Sequence, residues 1–77
     1  MDVAEPHKQQ HVEAFGRRVR DLRRRAGLSQ EQLAERAGLH RVTIGLIERA
    51  QREVGISAVA PLAQALEVAP GALFEGD

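Results

Sequence analysis

The sequence predicts an all-α fold, and three observations carry that expectation. Apolar residues recur at three- and four-residue steps along most of the chain, the period of a helix buried on one side. Phe15 and Phe74 are the only aromatic residues, so the core has to be aliphatic and alanine-rich, a composition that suits helices. Between Ser29 and Arg49, two short helical patterns are separated by a tight break. Seventy-seven residues make one small domain, and with no cysteine it has no disulfide or thiolate–metal staple.

Residues 1–10 are polar and unpatterned and read as a disordered tail, leaving 11–77 as the folded domain. His7 and His11 lie four apart, a spacing that suits a metal on a helix, but no third ligand stands nearby and no metal is expected. Helix 1 is expected over His11–Ala26, where Val12, Phe15, Val19, Leu22 and Ala26 form one apolar stripe that Gly16 weakens slightly. Helix 2 is expected over Gln30–Ala37. The Ser29 hydroxyl can cap it, Leu33, Ala34 and Ala37 share a face, and Gly38 can take the left-handed conformation that closes it.

Leu39 follows as an apolar plug, and helix 3 is expected over Arg41–Arg49 with His40 at its cap. Ile44 and Ile47 would bury one side, leaving Arg41, Val42, Gly45 and Leu46 facing out. This is the layout of a helix-turn-helix, in which the second helix is offered to the major groove of DNA. After a loop over Gln51–Gly55, Ile56, Val59, Leu62, Ala63 and Leu66 give the spacing of helix 4. Pro61 has no N–H, so helix 4 either is kinked there or starts late, and a late start near Ser57–Ala60 is the cheaper arrangement. Pro70 suits the first position of a short helix 5 over Pro70–Glu75. Five helices would then pack around Phe15, Leu22, Leu33, Ile44, Ile47, Leu62 and Leu66.

The formal net charge is zero, but the charge is not evenly spread. Residues 16–52 hold ten arginines against four acids, whereas residues 53–77 hold no base and four acids, Glu53, Glu67, Glu75 and Asp77. A basic end can dock phosphate while an acidic end serves another purpose.

The segments G-L-S-Q-E-Q-L-A at 27–34, A-G-L at 37–39 and I-G-L-I-E-R at 44–49 resemble the lambda-repressor/Cro type of helix-turn-helix domain, over roughly residues 14–75. Within that family, L-H-R-V-T-I at 39–44 and I-E-R-A-Q-R at 47–52 look most like the small controller proteins of restriction–modification systems. The resemblance implies a five-helix, lambda-repressor-like DNA-binding domain. It also implies a salt bridge between Arg23 and Glu48, tying helix 1 to the end of the recognition helix. Gln30 matches a family glutamine that braces the first base reader, here Arg41, and Ala50 stands where the family often has glycine.

Arg41, at the start of helix 3, is the leading candidate for a base contact, because its guanidinium can bond O6 and N7 of a guanine together. Val42 offers a methyl surface to thymine, Thr43 can bond a base or a phosphate, and Leu46 can touch a thymine methyl. Phosphate contacts are expected from Ser29 and Gln30 at the start of helix 2 and from Arg20, Arg24, Arg49 and Arg52. Gly45 and Leu46 replace the polar readers more common in the family, which leaves hydrogen-bond readout thin and gives DNA shape a larger part.

A core this small covers only part of its C-terminal apolar residues, so Val54, Ile56, Val68, Leu73 and Phe74 are expected at the interface of a two-fold homodimer. Such a dimer would set its two recognition helices roughly 34 Å apart on double-stranded DNA. The sequence therefore points to a sequence-specific transcriptional regulator. An alternative is an antitoxin-type protein-interaction module that binds DNA secondarily. No nucleophile–base pair, metal cluster or phosphate loop suggests an enzyme, and no cofactor or small-molecule ligand is indicated. No apolar run is long enough to cross a membrane, and a cytoplasmic setting is expected.

Overall fold

Helix starts and stops in this chain follow local chemistry. The computed structural model describes residues 6–75, with side chains from residue 10 onward. It contains α1 (Pro6–Arg25), α2 (Gln30–Ala37), α3 (Arg41–Glu48), α4 (Ile56–Leu66) and a closing 3-10 helix (Pro70–Phe74). The expected fifth helix is thus a 3-10 segment, and the described residues form four α-helices.

α1 starts five residues earlier than expected, so residues 6–10 are helical and not tail. Pro6 opens it at a position where a missing N–H costs nothing. The tail expected over residues 1–5 lies outside the described residues, as does the side chain of His7.

All four α-helices end in the same way. Gly27, Gly38, Ala50 and Glu67 are left-handed, with φ of 74°, 71°, 59° and 60°. In each case the following residue's N–H reaches back five residues, as in Leu28 to Arg23, Leu39 to Ala34, Gln51 to Leu46 and Val68 to Ala63, at 2.8–3.0 Å. This closure satisfies carbonyls that a helix end would otherwise leave unpaired. Leu28 is buried at its turn, and Leu39 and Val68 pack against the core at theirs.

α4 departs from expectation. It begins at Ile56, and Pro61 lies within it. The proline removes the hydrogen bond to the Ser57 carbonyl, but Ser57 is exposed and water can take that place. Below Pro61, Leu62, Ala63, Ala65 and Leu66 are buried. The apolar surface beyond the proline therefore holds the helix together despite one lost bond.

The core gathers Phe15 and Val19 from α1, Leu33 from α2, Ile44 and Ile47 from α3, and Leu62 and Leu66 from α4. Leu22, expected inside, is only partly buried at its edge. Gly16 proves more than a weak point in a helix. A Cβ there would stand 2.4 Å from the Ile47 carbonyl oxygen and 3.0 Å from that of Glu48. Its absence lets α1 lie against the backbone of α3.

The 3-10 helix returns the chain to α1. Leu73 is fully buried, at 0% exposure, and belongs to the protein's own core. The expected interface role for Leu73 is thereby overturned: α1 and α4 already enclose its side chain within one copy. Arg18 Nε donates to the Ala72 carbonyl at 2.8 Å. The rings of Phe15 and Phe74 pack with centroids 5.2 Å apart.

Candidate nucleic-acid interface

The two sides of α3 differ sharply. Ile44 and Ile47 are at most 1% exposed, and Glu48 beside them is 4% exposed. Val42, on the opposite side, is 61% exposed. Arg41 and Arg49 are also exposed, and Thr43 and Leu46 are half-buried. The expected base readers thus share the accessible side of a helix whose other side is fixed in the core.

Glu48 is the fastening point. Arg23 Nε and one terminal nitrogen donate to its two carboxylate oxygens at 2.6 and 3.0 Å, a two-pronged pair between α1 and α3. Another Arg23 nitrogen donates to the Leu28 carbonyl at 2.9 Å. The Gln30 amide adds a bond from α2 to Glu48 at 3.0 Å. Burial pushes the Glu48 carboxyl up, but the hydrogen bonds from Arg23 and Gln30, with the charges of Arg23 and Arg20, more than reverse this and hold it below the usual carboxylate range. The bond to Glu48 raises the Arg23 guanidinium against the opposing effect of burial. Three helices therefore meet on one ionised carboxylate.

These bonds alter several expected roles. Gln30 braces Glu48, not Arg41, because its amide points into the buried side of the motif. Arg20 leans towards the same carboxylate at 3.6 Å, so its charge is shared with the protein. Ser29 closes a reciprocal cap: its hydroxyl accepts from the Gln32 N–H at 3.0 Å, and its own N–H donates to Gln32 Oε1 at 2.8 Å. That N–H is accordingly occupied. The first-turn N–H groups of Gln30 and Glu31 have no acceptor within their own helix.

Arg24 and Arg52 are exposed, one on α1 and the other beyond α3. Arg49 is exposed too, and its Nε donates to Gln51 Oε1 at 3.1 Å. His40 caps α3 without a side-chain hydrogen bond. On the acidic side, Ile56 is 89% and Phe74 65% exposed. Val54 and Val68 are partly buried.

Sequence reasoning misses three contributors. Gly16 is signalled only by its place between Phe15 and Val19, on a stripe where a larger residue would be ordinary. Arg18 and Gln51 carry no signal, since their partners depend on how distant segments or a turn fold. Among the described residues, no group of three or more His, Cys, Asp or Glu side chains could hold a metal, and no helix is long and apolar enough to cross a membrane.

Comparison with known proteins agrees with this geometry. The chain is 50% identical over 54 residues to the control protein C.SmaI of Serratia marcescens, covering 70% of this chain and 64% of that protein. It thus spans a little under two thirds of that relative's length. The crystal structure of the restriction–modification controller protein C.AhdI from Aeromonas hydrophila superposes with a TM-score of 0.80 at 46% identity, covering 82% of this chain and 96% of that one. The P22 c2 repressor, solved in complex with a synthetic operator, superposes with a TM-score of 0.74 at 30% identity, covering 82% of this chain and 96% of that one. The helix-turn-helix domain family matches residues 14–75, and the chain belongs to it.

Proposed function

We propose that this protein is a DNA-binding transcriptional regulator of the controller type, reading a two-fold operator as a homodimer in the cytoplasm. The observation that carries this reading is the asymmetry of α3. Its core side is tied to α1 and α2 through Glu48, and its accessible side presents Arg41, Val42, Thr43 and Leu46. A reading helix needs this fixed backing, because base contacts reward a side chain only when its backbone is already placed. The surrounding phosphate contacts would come from Arg24, Arg52 and the first turn of α2, where the helix dipole favours an anion.

The homodimer rests on apolar surface away from α3. Ile56 and Phe74 are the best candidates for its centre, with Val54 and Val68 contributing smaller areas. A pairing through these residues leaves the arginine-rich half free for DNA.

A footprint on the DNA upstream of the protein's own coding region tests the function. A protected two-fold sequence is expected. Arg41→Ala should weaken binding to it by roughly 1–3 kcal/mol and relax the preference at one guanine per half-site. Loss spread equally over all sequences would reduce Arg41 to a phosphate contact. In sedimentation, Ile56→Glu should halve the mass seen at micromolar concentration; a wild-type monomer at every concentration would remove the dimer.

A further inference from the structure

Gly45 lies in the middle of the outward half of α3, where a side chain would ordinarily face DNA. It is nevertheless buried. The cover is Arg49: a Cβ on residue 45 would stand 3.0 Å from one terminal nitrogen of its guanidinium, 3.5 Å from the other and 3.6 Å from the central carbon. A helical side chain leans towards the N-terminus over the preceding turn, which brings residue 49 back across residue 45. At about 100° per residue, Arg49 also falls almost opposite the buried pair Ile44 and Ile47, in line with Val42. Its charged end therefore lies along the presented face and is not directed off the end of the helix.

Gln51 holds it there. Its side-chain oxygen takes the Arg49 Nε–H at 3.1 Å, which leaves the two terminal nitrogens turned over Gly45. The other three helices place Leu28, Leu39 or Val68 after the left-handed residue, where each packs inward. Only after α3 is this position polar and exposed, and there it orients an arginine.

We propose that Arg49 is a second base-reading residue, whose guanidinium occupies the space left by Gly45 and reads a base pair through its two terminal nitrogens. The pair of donors matches O6 and N7 of a guanine. Arg41 and Arg49 then bracket α3, one reading from its start and the other folding back over its middle. Gly45 and Leu46 carry no hydrogen-bonding group, and Arg49 supplies the one their positions lack. The proposal rests on the DNA-reading function above, but assigns a base contact where the sequence alone suggests a phosphate contact.

The test is enrichment of bound duplexes from a randomised DNA pool, run with wild type, Arg49→Lys, Gly45→Ala and Arg24→Ala. Lysine keeps the charge that a phosphate needs but not the two-pronged geometry. Arg49→Lys should therefore lose roughly ten- to hundredfold discrimination at one base pair per half-site, with the Arg41 position unchanged. Gly45→Ala should disturb the same base pair by displacing the guanidinium. Arg24→Ala should weaken all sequences alike. If wild type enriches a motif and Arg49→Lys enriches the same motif with undiminished preference at every position, Arg49 is no reader and the proposal fails alone. If wild type enriches nothing, the DNA-reading function fails with it.

Discussion

Helices α2 and α3 are each eight residues long and meet at a tight turn, yet their ends are made differently. α2 closes itself: Ser29 and Gln32 cap its start reciprocally, and Gly38 takes the left-handed position at its end. α3 does neither. His40 offers no side-chain cap, and the left-handed position at its end falls to Ala50. What α3 lacks in favourable end residues it receives from neighbours, through Ile44, Ile47 and the carboxylate of Glu48. α2 is thus specified mainly by its own sequence and α3 mainly by the fold. Such a division leaves the outer side of α3 without a structural duty of its own, as the proposed base-reading role requires.

The largest expected effect comes from removing that tertiary hold. Glu48→Gln leaves Arg23 buried without its counter-charge and should cost about 3–5 kcal/mol of stability, read from denaturant or thermal unfolding. Acid should do the same in the wild type. Because folding lowers the Glu48 pKa, its contribution is complete above the unfolded value of about 4.3 and is lost as pH falls through the lower folded value. Glu48→Gln should flatten that acid limb. An unchanged limb would assign the acid sensitivity to other carboxylates.

Next in size is the close approach of α1 to α3. Gly16→Ala places a methyl where the Ile47 carbonyl oxygen stands, so one helix must move. The expected cost is roughly 1–3 kcal/mol, comparable to overpacking a core. A matching Ser29→Ala change, which affects only the local closure of α2, should cost about 1 kcal/mol. If the two costs were reversed, the contrast between a self-closed α2 and a fold-held α3 would be wrong.

The same contrast explains which features are legible in the sequence. The bounds of α2 can be read there because Ser29, Gly38 and the apolar spacing all act within a few residues. The Arg23–Glu48 pair is expected only through family resemblance, since nothing local links residues 25 positions apart. Pro61 misleads because its local penalty is real but small beside the burial of Leu62 and Leu66. Leu73 and Phe74 are not distinguishable in sequence: adjacent apolar residues in a 3-10 turn point in different directions, one into the core and one outward. The place of Arg49 at the end of α3 is legible, but the direction of its side chain depends on Gly45 and Gln51 together.

The smallest effect is at Ala50, and it sharpens the comparison most directly. Ala50 and Gly38 hold the same place in the same closing motif, with N–H bonds running back to Ile47 and Glu35 respectively. A left-handed conformation costs a residue with a Cβ about 1–2 kcal/mol, whereas glycine adopts it freely. Glycine also gains freedom in the unfolded chain, which offsets about 0.4–1 kcal/mol of the benefit. Ala50→Gly should therefore stabilise the protein by about 0.5–1 kcal/mol, raising Tm by a few degrees in a domain of this size. Its carbonyl-closing bonds are unchanged, so Gln51 should still hold Arg49 and the enriched DNA motif should stay the same. A lower Tm for Ala50→Gly would mean that the left-handed turn after α3 carries no strain at Ala50, and that alanine closes α3 as well as Gly38 closes α2.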